Sequence, residues 1–333
     1  MSDSRAHSGL VSVLVVNWNT REMLRRCLAS LVAADEADEL EIIVVDNGSA
    51  DGSAAMVEAE FPSVALVQNE MNLGFSRATN QAFERSRGDY VLMLNSDAIV
   101  DNGAIRSSRA FLDSHPGVGA LGCQLRNEDG SPQSTCFRFP SLLGLVMTTS
   151  RLSQMFPDHR LLNWDRYGGR RWTGPSEVDV VMGSFLLVRR STVRTPSLLD
   201  DAYFMYAEET DLCRRLREDG WPVMFVPEIS VTHAHGASSR TMAQLAWSDE
   251  AKKRGVLRFL FTWRGPRVAW TANLIMFVGM IPRVCGWALL DLRESVIDRQ
   301  PRGAHLLRAR ALRMHLAVLR DPHKALDPWG GPE

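Results

Sequence analysis

Short apolar runs that end abruptly in polar residues recur through the first hundred positions of the chain. Runs at 11–16, 42–45, 64–67 and 90–94 each have the length of one strand. Uninterrupted runs of this kind are typical of strands that a sheet buries on both faces. Segments with helical spacing of apolar residues lie between the runs. The alternation of strand and helix predicts an α/β fold with a mostly parallel central sheet flanked by helices.

The polar residues that end these runs are candidate ligand-binding positions. Ligands of open α/β sheets bind beyond the carboxyl ends of the strands. Asn95 and Asp97 follow the fourth run, two residues apart, so their side chains can face the same way. A carboxylate at that place suits a hard divalent cation that bridges the phosphates of a nucleotide. Taken alone, Asn95-Ser96-Asp97 could equally be a polar turn.

Beyond residue 100 the pattern predicts further strands and helices. It predicts a helix over 104–112, strands over 118–125, 223–226 and 229–231, a hairpin turn at 127–130, and helical segments over 141–156 and from 208. The strand over 229–231 leads to His233, which by itself could be a structural histidine.

Two other segments of the second half are candidates for contact with a ligand. Gly183 and Ser184 interrupt the apolar run 178–188, and glycine inside a strand often marks the close approach of a ligand or another backbone. The loop 164–172 is aromatic and basic and ends at Trp172. It could be a flap that orders around a bound ligand, or a surface loop whose aromatic side chains anchor it to the core.

Three carboxylates, Glu208, Glu209 and Asp211, fall within four positions at the start of a predicted helix. Acids in a first helical turn stabilise the helix through its dipole, which accounts for such a cluster without any chemistry. The cluster could also perform acid–base catalysis, because neighbouring acids raise the pKa of a carboxyl group and make it a stronger base.

Charge is distributed unevenly along the 333 residues. The net charge of −1 gives no general attraction for nucleic acid. From residue 252 onward, however, 15 Lys and Arg face 6 Asp and Glu, a local charge of +9 that leaves −10 for the rest.

Within this basic tail, 268–281 carries no charge. The segment is short for a bilayer span, so an interfacial helix is favoured over a core-packed appendage or a transmembrane hairpin. Arginines at 299, 302, 308, 310 and 313 suit anionic headgroups.

Several common classes of protein are disfavoured. The five cysteines are scattered without a C-x-x-C pair, which indicates neither a zinc site nor a disulfide framework. No glycine-rich dinucleotide fingerprint follows the first strand, and no P-loop is present. The polar stretch 1–9 has no apolar signal core, so we expect a cytoplasmic protein.

Four motifs in order, at 13–19, 44–53, 72–75 and 94–97, resemble the successive motifs of family 2 glycosyltransferases. These are inverting enzymes of GT-A fold that use nucleotide-sugars, and the likeness is closest to the rhamnosyltransferase-like branch. It extends over about residues 11–240.

The resemblance implies roles for nine residues on the donor side. They are Asn17 and Asp46 at the nucleotide base, Asp51 in the same loop, Asn72, Gly74 and Asn80 at the ribose and phosphates, and Asn95, Ser96 and Asp97 at the family's D-x-D motif. The first Asp of that motif is Asn here, so only Asp97 carries a charge. The resemblance further implies Mg2+ or Mn2+, held by Asp97 and His233.

On the acceptor side, the acidic cluster resembles the family's E-D-x-D motif, whose second acid is the general base. That position is Glu209, where the family usually has Asp, with Asp211 as the second candidate and Glu208 beside it. Gly183, Ser184 and Trp172 would contact the acceptor.

The prediction is therefore a GT-A domain over 1–240, with a donor half at about 10–100 and an acceptor half at 101–240, followed by a basic helical tail over 241–333. We expect transfer of L-rhamnose from dTDP-L-rhamnose to a polyprenyl-diphosphate glycan or cell-wall polysaccharide, at the inner face of the cell membrane. The alternatives are a UDP-hexose donor and a catalytically silent subunit that binds a nucleotide or a sugar.

Overall fold

The computed structural model describes residues 9–34, 36–234, 242–297 and 304–326. The chain forms two compact units. Among the described residues, the first unit comprises 9–139 and 171–234, and the second comprises the remainder, including 140–170. The predicted glycosyltransferase domain includes 140–170, whereas the contacts of this segment group it with the C-terminal helices. A domain boundary near residue 240 stays a prediction.

The first unit contains eleven described strands. They are β1 Val11–Asn17, β2 Leu40–Asp46, β3 Ala65–Gln68, β4 Tyr90–Asn95, β5 Ala98–Val100, β6 Ala120–Arg126, β7 Cys136–Phe137, β8 Ser176–Val178, β9 Val180–Val181, β10 Phe185–Arg189 and β11 Val223–His233.

Helices of both units follow in chain order. They are α1 Arg21–Val32, α2 Ser53–Glu60, α3 Phe75–Arg85, α4 Ala104–Ser114, α5 Leu142–Thr149, α6 Leu152–Met155, α7 Glu208–Glu218, α8 Met242–Arg264, α9 Pro266–Ile297 and α10 Ala304–Arg320. Helices α5, α6, α8, α9 and α10 belong to the second unit.

The central sheet has the strand order β3-β2-β1-β4-β10-β6-β11-β5, with β8 added beside β11. The first four of these strands are parallel, as the apolar runs predict. Strand β10 runs antiparallel between β4 and β6, so the sheet is mixed. The register pairs Asn17 with Asp46 and Val16 with Asn95. Polar residues that are distant in sequence therefore lie side by side at one edge of the sheet.

Apolar packing against the sheet holds this edge in place. Val13, Val15, Leu92 and Leu94 are buried in one hydrophobic cluster. Helix α1 adds the apolar stripe that its spacing predicts, with Leu24, Cys27, Leu28 and Leu31 buried against the sheet. Full burial of such a side chain contributes about 1.5–3 kcal/mol to folding, so the strand ends have a rigid base.

The second half departs from the prediction in two places. The run 178–188 does not form one strand. It begins as the end of β8, which pairs with β11, continues as β9, which pairs with β7 in a separate two-stranded sheet, and enters the central sheet again as β10 after Gly183-Ser184. The runs 223–226 and 229–231 form one strand, β11, and not two. Pro227 lies between them at a shift of register against β6, and a bulge of this kind accommodates a residue that has no N–H to donate.

The second unit is helical. Helix α9 packs against α5, α8 and α10, and a side chain at Gly279 of α9 would collide with Thr149 of α5. Among the described residues, no helix is both long enough and apolar enough to cross a bilayer. Arg299 and Arg302, predicted to meet headgroups, lie outside the described residues, as do the side chains of Arg308 and Arg310.

Candidate active site

The ends of β1 and β2 carry the residues predicted to meet the nucleotide base. Asn17 and Asp46 are both buried, and the Asn17 amide donates to Asp46 Oδ2 over 3.0 Å and to Ser49 Oγ over 3.1 Å. Asn17 Oδ1 accepts from Thr20 Oγ1, which also lies 2.9 Å from Ser96 Oγ. One hydrogen-bonded network therefore joins the base-side residues to the D-x-D position.

Asp51 holds the backbone of this loop. Its Oδ2 accepts from the first N–H of α1, at Arg21, over 2.8 Å, and its Oδ1 accepts from Ser53 N, the first N–H of α2. Although burial alone would raise the pKa of Asp51, the hydrogen bonds from Ser53 and Arg21 lower it. The carboxylate thus stabilises two helix N-termini, and its predicted contact with the nucleotide stays a prediction.

The residues predicted at the ribose and phosphates organise neighbouring loops. Asn72 Oδ1 accepts from the Asn47 amide and from Gly74 N, each over 2.9 Å. Gly74 has φ +91° and no room for a Cβ beside Phe204. Asn80 is buried and bonds to both backbone groups of Leu199. These three residues define the shape of the crevice wall, and their contact with a donor stays a prediction.

Sequence reasoning missed Asn47, which is buried and connects the loops after β2 and β3. Its amide donates to Asn72 Oδ1 and Gly74 O, and its Oδ1 accepts from Asn69 Nδ2 and Leu73 N. The sequence shows only an Asn in a turn. Its partners are 22 to 27 positions away, so no local pattern could have identified it.

Asp97 and His233 meet at the carboxyl end of β4. Asp97 Oδ1 lies 3.1 Å from His233 Nε2, and His233 is almost fully buried. Asn95 Nδ2 lies 3.4 Å from the same ring nitrogen and donates to Ser184 Oγ over 3.0 Å. Carboxylate and imidazole are both common ligands of divalent cations. The structure therefore brings together the two predicted metal ligands, whereas His235 lies outside the described residues.

Gln133, also missed by sequence reasoning, sets the orientation of the His233 ring. Its Nε2 donates to Asn127 Oδ1 over 2.8 Å and to His233 O over 2.7 Å, which leaves Gln133 Oε1 to face His233 Nδ1 at 3.0 Å. Only an N–H at Nδ1 satisfies that oxygen, so the Nε2 lone pair of the neutral ring faces Asp97.

This arrangement fits a divalent cation. When the His233 ring is neutral, its Nε2 lone pair and the Asp97 carboxylate are two electron donors 3.1 Å apart, and a cation bound to both would remove their repulsion. Among the described residues no group of three or more His, Cys, Asp or Glu forms a complete metal cage. Protein cages are not needed for Mg2+, which commonly takes one or two protein ligands together with substrate phosphates.

The acidic cluster begins α7, as the sequence predicts. Tyr206 and Ala207, just before it, have φ of 70° and 71°, a left-handed conformation that costs a non-glycine residue free energy and is found at functional sites. The three acids differ in their partners. Asp211 is buried and ion-paired to Arg215 at 2.8 Å, whereas Glu208 Oε2 is buried without a hydrogen-bond partner among the described residues.

Burial raises the pKa of Glu208 well above the ordinary range for a glutamate, and the adjacent Glu209 raises it further. Burial also raises the pKa of Glu209, while hydrogen bonds from its own N–H and from Thr210 oppose the shift. The charged form of Glu208 is therefore disfavoured by its surroundings. Glu209 also has a raised pKa and no ion pair among the described residues, but it is less buried than Glu208, so it is the better placed of the two to meet an acceptor as a general base.

Gly183 and Ser184 connect the acidic cluster of α7 with the carboxyl end of β4. A Cβ on Gly183 would lie 3.5 Å from Glu209 Cβ and 3.6 Å from Met93 Cε. Its neighbour Ser184 accepts from Asn95 through both its hydroxyl and its backbone oxygen. Two consecutive residues thus place Glu209 beside the carboxyl end of β4, where Asp97 lies.

Trp172 packs its ring edge-on against Phe225 of β11, with ring centroids 5.0 Å apart. This contact anchors the loop to the core, as one of the two interpretations of that loop expects. Contact of Trp172 with an acceptor stays a prediction.

Comparison with known proteins agrees with this geometry. Residues 12–192 match the family described as glycosyl transferase family 2. The chain is 31% identical, over 79% of its length and 89% of the relative's, to the N-acetylglucosaminyl-diphospho-decaprenol L-rhamnosyltransferase of Mycobacterium tuberculosis. It is 25% identical to rhamnosyltransferase WbbL of Escherichia coli, over 67% of this chain and 83% of WbbL.

A solved structure supports the fold. The mannosyltransferase PcManGT of Pyrobaculum calidifontis, in complex with GDP-Man and Mn2+, superposes with a TM-score of 0.54 at 16% identity. The superposition covers 95% of this chain and 84% of PcManGT. The predicted GT-A-like α/β fold is confirmed. By its sequence match, its order of motifs and its long similarity to rhamnosyltransferases, the chain belongs to glycosyltransferase family 2.

Proposed function

We propose that the chain transfers L-rhamnose from dTDP-L-rhamnose to a hydroxyl of an N-acetylglucosamine glycan carried on a polyprenyl diphosphate. The observation that carries this proposal is the similarity to the mycobacterial rhamnosyltransferase over 89% of that enzyme's length. The carboxylates at the carboxyl end of β4 and in the first turn of α7 support a transfer reaction at this edge of the sheet.

Glu209 is the general base of the proposed reaction. It takes the proton of the acceptor hydroxyl as that oxygen forms a bond to the anomeric carbon. The bond from this carbon to the diphosphate oxygen breaks, and its electron pair leaves with the nucleotide. A single displacement of this kind inverts the anomeric configuration and requires no covalent enzyme intermediate. Gly183 supports the assignment, because it leaves space for the acceptor hydroxyl beside Glu209.

Asp97 and His233 would hold the Mg2+ or Mn2+ ion, with Gln133 keeping the Nε2 lone pair directed at the site. A bound cation of this kind supplies positive charge that neutralises the diphosphate as it departs. Asn95 contributes no charge, so phosphate oxygens of the donor would be needed to complete the ligand set.

Two other functions make different predictions from the same fold. A UDP-hexose transferase would release nucleotide from a UDP-sugar and leave dTDP-L-rhamnose intact. A catalytically silent subunit, suggested by Asn95 and Glu209 at altered motif positions, would bind a nucleotide without turnover and would be unaffected by Glu209→Gln.

The test is nucleotide release from a panel of dTDP- and UDP-sugars, with Mg2+ or Mn2+ and a polyprenyl-diphosphate N-acetylglucosamine acceptor. We expect turnover of dTDP-L-rhamnose, reduced about 10²–10⁴-fold by Glu209→Gln, as for loss of a general base. Asp97→Ala should also lose activity. Glu218→Gln, an exposed acid at the other end of α7, is the matched control and should retain it. Turnover of a UDP-sugar alone, or of none, would reject the rhamnose assignment.

A further inference from the structure

Large apolar side chains are exposed almost entirely in the second unit. In the first unit, only Val32 and Met71 are exposed large hydrophobic residues among the described positions. The second unit exposes several on α5, α9 and α10, namely Leu143, Val146, Trp270, Val278, Ile281 and Leu316. Contiguous exposed apolar surface marks a site of interaction with a protein or a membrane.

Helix α9 shows this most clearly, because it is apolar on both faces. Its inward face buries Ala269, Ala272, Met276 and Met280, spaced by three and four residues. The opposite face of a water-exposed helix normally carries charged residues. Here that face carries Trp270, Leu274, Val278 and Ile281, and no charge occurs from 268 to 281.

The neighbouring helices extend the apolar face of α9. Thr149 of α5 lies against Gly279 of α9, and α5 itself exposes Leu143 and Val146 one turn apart. On α10, Leu319 O accepts from Trp270 Nε1 over 3.0 Å, and Leu316 is exposed one turn before it. A tryptophan ring that is partly exposed and bonded at its N–H is typical of the boundary between water and lipid.

Basic side chains border this surface. Arg267 lies one turn before Trp270 on α9, and Arg313 and Arg320 lie on the exposed side of α10, on either side of Leu316. None of these three arginines forms an ion pair with a described residue. One exposed acid, Asp321, directly follows α10 at the edge of this surface. Apolar residues bordered by arginines that have no ion pair among the described residues complement an anionic lipid surface, in which acyl chains lie beneath negative headgroups.

We propose that the exposed faces of α5, α9 and α10 form a docking surface for an anionic lipid bilayer, on which α9 lies in the plane of the interface. The sequence predicts membrane contact for the C-terminal tail alone, whereas this surface includes α5, at 142–149. The proposal requires no catalysis, and it stands whether or not the transferred sugar is rhamnose.

The test is co-sedimentation of the full chain with vesicles of phosphatidylglycerol and phosphatidylcholine, compared with vesicles of phosphatidylcholine alone. We expect binding to the anionic vesicles. The double variant Val278→Glu/Ile281→Glu should reduce the partition coefficient at least tenfold, and Arg313→Gln/Arg320→Gln should reduce the preference for anionic over neutral vesicles. Val32→Glu, an exposed hydrophobic residue at the end of α1 in the first unit, is the matched control and should bind as wild type.

Two outcomes would overturn the proposal. The first is wild-type protein that stays in the supernatant with anionic vesicles, or binding that Val278→Glu/Ile281→Glu leaves unchanged. The second is a wild-type dimer, detected by light scattering, that the same double variant converts to monomer without any vesicle binding. In that case the face is an interface between two copies. Nucleotide release with a short-chain, water-miscible acceptor separates this question from the proposed function, because the surface variants should retain turnover there.

Discussion

Burial raises the pKa of the Glu209 carboxyl, and this shift determines the pH range in which the residue can act as a base. Below its pKa the carboxyl is protonated and cannot accept the acceptor's proton. We therefore expect kcat/KM to fall as the pH decreases through a pKa above the ordinary glutamate value of about 4.3. A pH–rate profile of nucleotide release measures this limb. Glu218→Gln should leave it in place, and an acid limb at the unperturbed value would contradict the assignment.

Gln133 fixes the tautomer of His233, so its side chain should matter for binding of the cation. Gln133→Met removes the acceptor for the Nδ1 proton and frees the ring to turn its lone pair away from Asp97. Loss of a partner that orients a metal ligand typically costs 10–100-fold in metal affinity. We expect a loss of about this size in dTDP affinity, measured by calorimetry with Mn2+ present.

The same titration without a cation provides the internal control for Gln133→Met. Affinity there should match that of the wild type, because Gln133 acts on the cation through His233. Equal losses with and without Mn2+ would show a general structural defect and would contradict a positioning role.

At the scale of elements, the turn before α7 stores backbone strain next to the proposed base. Ala207 has φ 71°, a conformation that glycine adopts without the Cβ penalty of about 1–2 kcal/mol. We expect Ala207→Gly to raise the free energy of unfolding by up to about 1 kcal/mol, once the entropy of glycine is counted. Urea denaturation measures this difference.

The matched control for Ala207→Gly is Ala110→Gly, at an exposed position inside α4. Glycine in a helix interior should lower stability there by about 1 kcal/mol. The two substitutions are chemically identical and are expected to have opposite signs. Destabilisation at both positions would contradict the account of strain at Ala207.

Elements that a local pattern marks could be predicted, and those defined only by their distant partners could not. The apolar runs at β1, β2 and β4 each define a buried strand, and parallel pairing then places Asn17, Asp46 and Asn95 at one edge. The acids of α7 were identified for the same reason, because they lie together in one helical turn.

Positions that depend on pairing with distant residues could not be predicted from the sequence. Strand β10 lies antiparallel between β4 and β6, a place that no local pattern specifies. Gln133 meets His233 from 100 positions away, through a segment that reads only as the end of a hairpin. The grouping of 140–170 with the C-terminal helices depends on helix contacts in the second unit. The sequence therefore predicted the chemistry of the site better than the groups that position it.

On the scale of the whole molecule, the residues proposed for catalysis and those proposed for lipid contact lie in different units. The first unit carries the proposed donor, cation and base residues, and the second carries the exposed apolar side chains and much of the basic tail. An acceptor held by a lipid diphosphate would require both a catalytic crevice and a means of meeting lipid. Catalysis and membrane binding can therefore be tested separately. Glu209→Gln tests only catalysis by the first unit, and Val278→Glu/Ile281→Glu tests only membrane binding by the second.

The anomeric configuration of the product tests the central claim most directly. The wild-type chain is incubated with dTDP-L-rhamnose, Mn2+ and a short-chain diphosphate-linked N-acetylglucosamine, and the new glycosidic bond is assigned by NMR coupling constants. Direct displacement by a hydroxyl that Glu209 deprotonates predicts the configuration opposite to that of the donor. A product with the donor's configuration would contradict the single displacement and, with it, the role given to Glu209.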